Sequence, residues 1–200
     1  MDNFDWVFDD DNPIETSETI EPRLTRATLK RRHVQALKRE TAKTILTELP
    51  KHGESFHIVS NGSSDYFTFV ALIAELLPHA YSAQFYGSTW TMSRNNVVEM
   101  FELFDTGKLG SLNILTGLYF KRRESSVYAT LLNGLETRKQ RYRALENHAK
   151  IMLFNHQDDY IVLEGSANFT ANPRIEQTTI INDKSLWEFH QTWIEEILNG

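Results

Sequence analysis

Residues 148–170 have the sequence HAKIMLFNHQDDYIVLEGSANFT, in which two apolar runs stand on either side of a polar turn. Residues 148–154 and 160–164 predict two strands, and the short linker 156–159 between them predicts a tight hairpin. His148 and Lys150 lie two positions apart, so we expect their side chains on one face of the first strand. The second strand leads into Gly165-Ser166-Ala167-Asn168, which the hairpin brings next to that face.

These residues together suit the binding of a tetrahedral oxyanion such as phosphate. The glycine allows close backbone approach, and Ser166 and Asn168 add small hydrogen-bonding side chains. Lys150 supplies positive charge, and His148 is a candidate nucleophile or acid–base catalyst. The stretch has no acidic cluster that would hold a metal, so we expect neither a metal nor another cofactor.

The preceding part of the chain alternates strands and helices. Strands are predicted over 56–60, 82–87 and 111–115, followed by helices that run to Leu77, over 95–104 and near 121–135. Ser64 or Asp65 is expected to cap the first helix, and Ser93 the second. Three consecutive strand–helix units predict an α/β domain with a partly parallel sheet. Two further strands, 141–145 and 177–181, and an amphipathic helix, 185–198, complete the pattern.

Charge is distributed unevenly near the N-terminus, although the net charge is −6. Residues 1–22 contain eight acidic residues and no Lys or Arg, which predicts an acidic flexible arm before a domain at 23–200. Residues 23–43 contain eight basic residues and one acid, and apolar spacing predicts a helix from about 24 to 49. This helix is either a solvated face neutralised by the arm or a surface for nucleic-acid phosphates.

Composition excludes several classes of protein. The chain has no cysteine, which excludes disulfides, cysteine-ligated metal sites and a thiol nucleophile. Its apolar runs are too short to cross a membrane, and the acidic N-terminus differs from a secretory signal. A cytoplasmic protein without membrane contact is expected.

The motif resembles the HxK…GSxN signature of the phospholipase D superfamily, and Phe169-Thr170 resembles its small single-motif bacterial nuclease branch. Glu176 lies where that branch places a glutamate. The resemblance covers residues 140–182 and implies a phospholipase D-like mixed sheet flanked by helices. One departure is Asn155, which stands where the family has an acidic residue; Asp158 and Asp159 follow it in the turn.

The resemblance also implies a role for each motif residue. His148 would attack phosphorus and form a phosphohistidine, and Lys150 and Asn168 would bind the non-bridging oxygens. Ser166 would donate a hydrogen bond to the phosphate. Glu176 would accept the other imidazole N–H of His148 and fix its tautomer.

A second histidine is needed to protonate the leaving oxygen, and in this superfamily it comes from a second motif copy. This chain has one HxK, and the faint echo around His57 lacks the lysine. A symmetric homodimer that joins two motifs is therefore expected.

The leading hypothesis is a metal-independent phosphodiesterase that cleaves nucleic acid, with DNA as the first candidate. The alternatives are a catalytically weak nucleic-acid-binding module, motivated by Asn155, and a hydrolase of phospholipids or other small phosphodiesters. Trp90, Trp187, Trp193 and most phenylalanines are expected to fill the core rather than to stack on bases. Five basic residues are candidates for contacts with substrate phosphates: Arg31, Arg32, Lys38, Arg94 and Arg174.

Overall fold

A computed structural model describes residues 25–26, 31–36, 39–60, 66–77, 83–170 and 174–200, with side chains from residue 42 onwards. The predicted acidic arm, residues 1–22, lies outside this part of the chain. The boundary predicted at residue 23 therefore stays a prediction.

The described strands form one mixed sheet. In chain order they are β1 (Thr25–Arg26), β2 (Arg31–Ala36), β3 (Ser55–Ser60), β4 (Gln84–Thr89), β5 (Ser111–Gly117), β6 (Arg141–Leu145), β7 (Ile151–His156), β8 (Asp159–Gly165) and β9 (Glu176–Asn182). Their order across the sheet is β1-β2-β3-β9-β8-β7-β4-β5-β6. Strands β4, β5 and β6 are parallel, whereas β7 and β9 are antiparallel to both of their neighbours. The predicted α/β architecture with a partly parallel sheet is confirmed.

Helices cover both faces of this sheet. They are α1 (Arg39–Ile45), α2 (Phe67–Leu76), α3 (Arg94–Asp105), α4 (Leu118–Arg123), α5 (Ser125–Thr137) and α6 (Lys184–Asn199). Ser93 caps α3 as predicted, because its side chain accepts a hydrogen bond from the backbone N–H of Asn96 at 3.2 Å. In the described segments, no helix combines the length and hydrophobicity that crossing a membrane requires.

Alternation along the central strands builds two apolar layers. Phe85, Ile114 and Phe154 belong to the large core that packs against α1, α2, α3 and α5. Their chain neighbours, among them Tyr86 and Leu153, belong to a smaller core under α6. Because successive strand residues point to opposite faces, the two cores lie on opposite sides of the sheet.

The helix predicted over 24–49 is wrong at the residues described before Arg39. These residues form the strands β1 and β2, and the described helix of this region is α1, from Arg39 to Ile45. Strand β2 pairs in parallel with β3, so it satisfies backbone groups that β3 would otherwise expose at the sheet edge. The alternation of apolar Val34 and Ala36 with polar neighbours fits a strand as well as the helical spacing that we inferred.

Two other elements differ from expectation in their boundaries. The helix predicted near 121–135 is two helices, α4 and α5, which meet at Glu124. The strand predicted from His148 begins only at Ile151. The hairpin between β7 and β8 is confirmed, with Gln157 in its turn at a φ of 53°.

We expect Glu195→Gln to lower the free energy of unfolding by about 1 kcal/mol at pH 7, because it removes an ion pair that ties α6 to β6. The Glu195 carboxylate accepts hydrogen bonds from both terminal nitrogens of Arg141 and from Tyr86. These bonds lower the pKa of Glu195 from 4.5 to about 2, the Arg141 hydrogen bond contributing most. The stabilisation should therefore be complete above pH 4.5 and vanish as the pH falls through about 2.

Chemical denaturation of wild type and variant across this pH range measures the effect. Glu188→Gln, at an exposed helical pair with Lys184, is the control and should change little. A difference between wild type and Glu195→Gln that stays constant with pH would contradict the assignment.

Candidate active site

The motif residues meet at one end of the sheet, where β8 ends and β7 and β9 begin. His148 and Lys150 immediately precede β7, Gly165 closes β8, and Glu176 opens β9. Residues 148 and 150 thus lie before the strand, and the expectation that both stand on one strand face is wrong. Their proximity arises instead from the lysine side chain.

Lys150 folds back onto His148. Its ammonium donates to the backbone carbonyl of His148 at 2.6 Å and lies 3.0 Å from the imidazole Nδ1. Lys150 is 7% exposed, whereas His148 is exposed to solvent. Burial lowers the pKa of the Lys150 ammonium, and the negative charge of Glu176 opposes that shift. A buried cation is thus held directly beside an accessible imidazole.

Gly165 makes the return strand fit. A Cβ atom at this position would lie 2.6 Å from the backbone oxygen of Gln177 in β9 and 3.0 Å from the hydroxyl of Tyr66. The glycine therefore allows the close backbone approach that the sequence predicted.

Ser166 and Glu176 are hydrogen-bonded partners. The Ser166 hydroxyl donates to the buried carboxylate of Glu176 and accepts from the backbone N–H of Gln177 at 3.1 Å. The carboxylate for which we expected a bond to His148 is thus engaged by Ser166. The predicted bond between Glu176 and His148 stays a prediction.

The turn after Ser166 is anchored through Phe169. This ring is fully buried and packs against Tyr66 and Phe67, at centroid distances of 6.2 and 5.5 Å. The carbonyl of Phe169 accepts hydrogen bonds from the Ser93 backbone N–H and from the Asn96 amide, each at 2.8 Å. The amide oxygen of neighbouring Asn168 is buried and has no hydrogen-bond partner among the described residues.

These groups surround an open cleft of about 450 Å³, lined by His148, Ala149, Lys150, Ile151, Glu164, Gly165 and Ser166. Three of the five predicted catalytic residues therefore line it, and Glu176 contacts it through Ser166. Among the residues that the structure describes, no group of three His, Asp or Glu side chains is placed to hold a metal ion. The cleft can present positive charge, an imidazole and a hydroxyl to one anionic group.

Sequence reasoning missed Glu164 and its partners. The Glu164 carboxylate lies 2.9 Å from Nε2 of His190, and the indole N–H of Trp193 donates to Nδ1 of His190 at 3.1 Å. Because an indole N–H only donates, Nδ1 accepts and Nε2 carries the proton that is donated to Glu164. No local sequence pattern predicts these hydrogen bonds, since Glu164 lies on β8 whereas His190 and Trp193 lie on α6.

Trp90 was expected in the core, but it is only partly buried and lies beside the cleft. Its ring centroid is 5.5 Å from that of His148 and 4.3 Å from that of Tyr119, on which it stacks. No sequence pattern predicted that Tyr119 lies beside the cleft.

The predicted substrate-binding residues are dispersed. Arg94 lines a second cleft on the Trp90 side, and Arg174 is exposed two residues before Glu176. Arg31 and Arg32 pair with Ser55 and Phe56, at the start of β3, whereas the site lies at its far end. Their separation from the site is about 13 Å or more along the strand. Lys38 lies outside the described residues.

Asn155, the departure from the family pattern, lies at the end of β7 away from the cleft. Its side-chain amide donates to the backbone carbonyl of Asp159 at 3.3 Å. Asp159 in turn accepts from the Asn182 amide at 2.9 Å. The departure therefore falls at the end of β7 next to the hairpin turn, and Asn155 is not among the residues that line the cleft.

No protein-family profile matches the sequence, and a search of curated proteins gives no match either. Similar solved structures include Nuc from Salmonella typhimurium, a phospholipase D family member, with 16% identity, a TM-score of 0.48, and 72% of this chain and 93% of that chain covered. Polyphosphate kinase from Porphyromonas gingivalis has 13% identity and a TM-score of 0.53 over 74% of this chain and 26% of that chain, so the chain spans about a quarter of the kinase.

TrmBL2, an archaeal chromatin protein with a described mode of DNA binding, has 12% identity and a TM-score of 0.44. The alignment covers 78% of this chain and 56% of that chain. At these identities the likenesses concern the fold alone.

We expect Gly165→Ala to lower the free energy of unfolding by about 1–3 kcal/mol, because the new methyl group meets backbone rather than a movable side chain. Thermal unfolding measures the loss. Gly200→Ala at the exposed chain end is the control, and equal melting temperatures for both variants would contradict the close packing of β8 on β9.

Proposed function

We propose that this protein is a metal-independent phosphodiesterase that cleaves nucleic acid, DNA first among the candidates, through a phosphohistidine. The observation that carries the proposal is the buried ammonium of Lys150, 3.0 Å from the imidazole of an exposed histidine in an open cleft. A cation there stabilises negative charge that develops on a phosphoryl group, while the imidazole stands ready to attack.

The resemblance to the phospholipase D superfamily assigns the roles of the surrounding residues. Lys150 and Asn168 bind the non-bridging oxygens, and Ser166 donates to the same phosphate when it turns from Glu176. Glu176 favours the charged form of Lys150, because its negative charge acts against the larger effect of desolvation, which lowers the pKa of the ammonium.

The protonation of His148 distinguishes two forms of the site. The nucleophilic form is the neutral imidazole that carries its proton on Nδ1 and has Nε2 free to attack. It arises when the Lys150 ammonium, which only donates, turns from Nδ1 to a phosphate oxygen. The general-acid form is the imidazolium, which carries a proton on both nitrogens and becomes a neutral imidazole when Nε2 gives its proton away.

A homodimer supplies both forms to one phosphate. Nε2 of one His148 attacks phosphorus, the bond to the leaving oxygen breaks, and that oxygen takes the Nε2 proton from His148 of the second copy. Water then attacks the phosphohistidine and gives its proton to the second imidazole, while the phosphorus–nitrogen bond breaks. The products are an alcohol and a phosphomonoester, and both histidines are regenerated.

Contact of Arg31, Arg32 and Lys38 with the nucleic acid stays a prediction. Any such contact must involve phosphates distant from the scissile bond, since Arg31 and Arg32 begin β2 at the end of the sheet opposite to the motif residues. Arg174, directly before Glu176, is the nearer candidate.

We expect hydrolysis of bis(p-nitrophenyl) phosphate in the presence of EDTA, and a loss of several orders of magnitude for His148→Ala and for Lys150→Ala. The control is His52→Ala, which removes an exposed histidine bonded to the hairpin turn at the other end of β7. Complete loss with EDTA and recovery with Mg²⁺ would contradict the mechanism. Plasmid DNA, RNA and phospholipid then identify the substrate class.

We expect sedimentation to give about twice the 23.2 kDa chain mass. Ile175 is 81% exposed and lies next to Glu176, so Ile175→Lys should weaken a dimer formed around the motifs. Val98→Lys, at an exposed position on α3, is the matched control. A fully active monomer would contradict the composite site and favour the Glu164–His190 pair at the cleft as proton donor.

A further inference from the structure

A second cleft, of about 460 Å³, adjoins the catalytic cleft across Trp90. We call it the aromatic cleft and define it by Trp90, Tyr119, Arg94, Arg123 and Glu124, which are among its lining residues. Its volume falls in the range of about 300–1,000 Å³ that small-molecule sites occupy. The phosphodiester chemistry proposed above uses none of these side chains.

The aromatic wall of this cleft stands directly beside the reacting group. The rings of Trp90 and Tyr119 are stacked with an interplanar angle of 16°, and the Trp90 ring also neighbours the imidazole of His148. Both aromatic residues are only partly buried. A phosphate bound at His148 therefore places its flanking nucleoside within reach of the indole.

The wall is built rigidly. A Cβ atom on Gly117 would lie 2.6 Å from Cδ1 of Trp90, so the indole packs where only glycine allows it. The carbonyl of Trp90 accepts from the Gly117 backbone N–H at 3.2 Å. The preceding Thr89 accepts from the Phe169 backbone N–H through its hydroxyl at 3.3 Å, which joins the wall to the motif turn. A preorganised ring binds a planar ligand at a lower entropic cost than a mobile one.

The charges suit an anionic ligand. Arg94 donates to two neutral hydroxyls, those of Thr130 and Ser126, and has no carboxylate partner among the described residues. Arg123 lies 5.4 Å from the centroid of the Tyr119 ring. Glu124 is the one carboxylate among the lining residues, so two guanidinium groups outnumber it.

The geometry points to a binding site for the nucleotide that flanks the scissile phosphate. Its base contacts the aromatic surface of Trp90 and Tyr119, and its outer phosphate lies near Arg94 and Arg123. A base within a duplex is already stacked and paired, so the site selects single-stranded nucleic acid or an unpaired nucleotide. This inference rests on the proposed function for the position of the scissile phosphate.

The test separates base contacts from charge. Binding of a single-stranded oligo(dT) is compared with an abasic oligonucleotide of equal length and with a duplex of the same strand, by fluorescence anisotropy. Wild type and every variant in this comparison also carry His148→Asn, which prevents cleavage of the oligonucleotide during the measurement. Trp90→Ala should weaken oligo(dT) binding about 5- to 100-fold and leave the abasic strand nearly unchanged.

Two further variants complete the design. Trp90→Phe keeps an aromatic face and should restore most of the affinity, whereas Phe189→Ala, which removes an exposed ring on α6, should have no effect. Equal losses on oligo(dT) and the abasic strand, unchanged oligo(dT) binding, or tryptophan-dependent binding only to phosphatidylglycerol vesicles would each overturn the inference.

Because binding is measured without turnover, failure of the proposed chemistry gives a different result. In that case wild-type protein hydrolyses no phosphodiester, while base-dependent binding through Trp90 persists.

Discussion

The absence of a side chain at Gly165 lets the end of β8 lie against the first residues of β9, and the geometry of the cleft depends on that contact. With β8 in this position, Ser166 reaches both the Glu176 carboxylate and the Gln177 backbone. Any larger residue separates the two strands at the point where the motif residues converge. The antiparallel direction of β7 and β9 matters equally, because it brings two strand beginnings to the end of the sheet where β8 stops.

Electrostatics at this end of the sheet balance desolvation against charge. Lys150 is buried, which disfavours its charged form, and Glu176 at the start of β9, on the other side of β8, opposes that effect. The Lys150 nitrogen is thereby largely shielded from water, and it lies next to the solvent-exposed imidazole of His148. The second carboxylate at the cleft, Glu164, is engaged by neutral His190, which fixes its orientation through a residue of α6.

The motif turn and the aromatic wall form one connected structure. Phe169 is buried between them: its ring packs on Tyr66 and Phe67, and its backbone bonds reach Thr89 and Ser93 on either side of Trp90. A displacement of the turn therefore also displaces the indole that neighbours His148. The cleft beside His148 and the aromatic cleft share this support.

Local patterns in the sequence determined the β7–β8 hairpin, the Ser93 cap, the parallel strand–helix units and the gathering of His148, Lys150 and Ser166, because each depends on residues close in the chain. The same local reasoning misassigned residues 25–26 and 31–36, where a helical spacing competes with pairing to the edge of β3, and it placed the start of β7 three residues early. Trp90, Tyr119 and Glu164 acquired their positions only in the folded protein. Their partners come from distant segments of the chain. Which strands become neighbours is decided by the assembly of the whole sheet, and the local sequence does not indicate it.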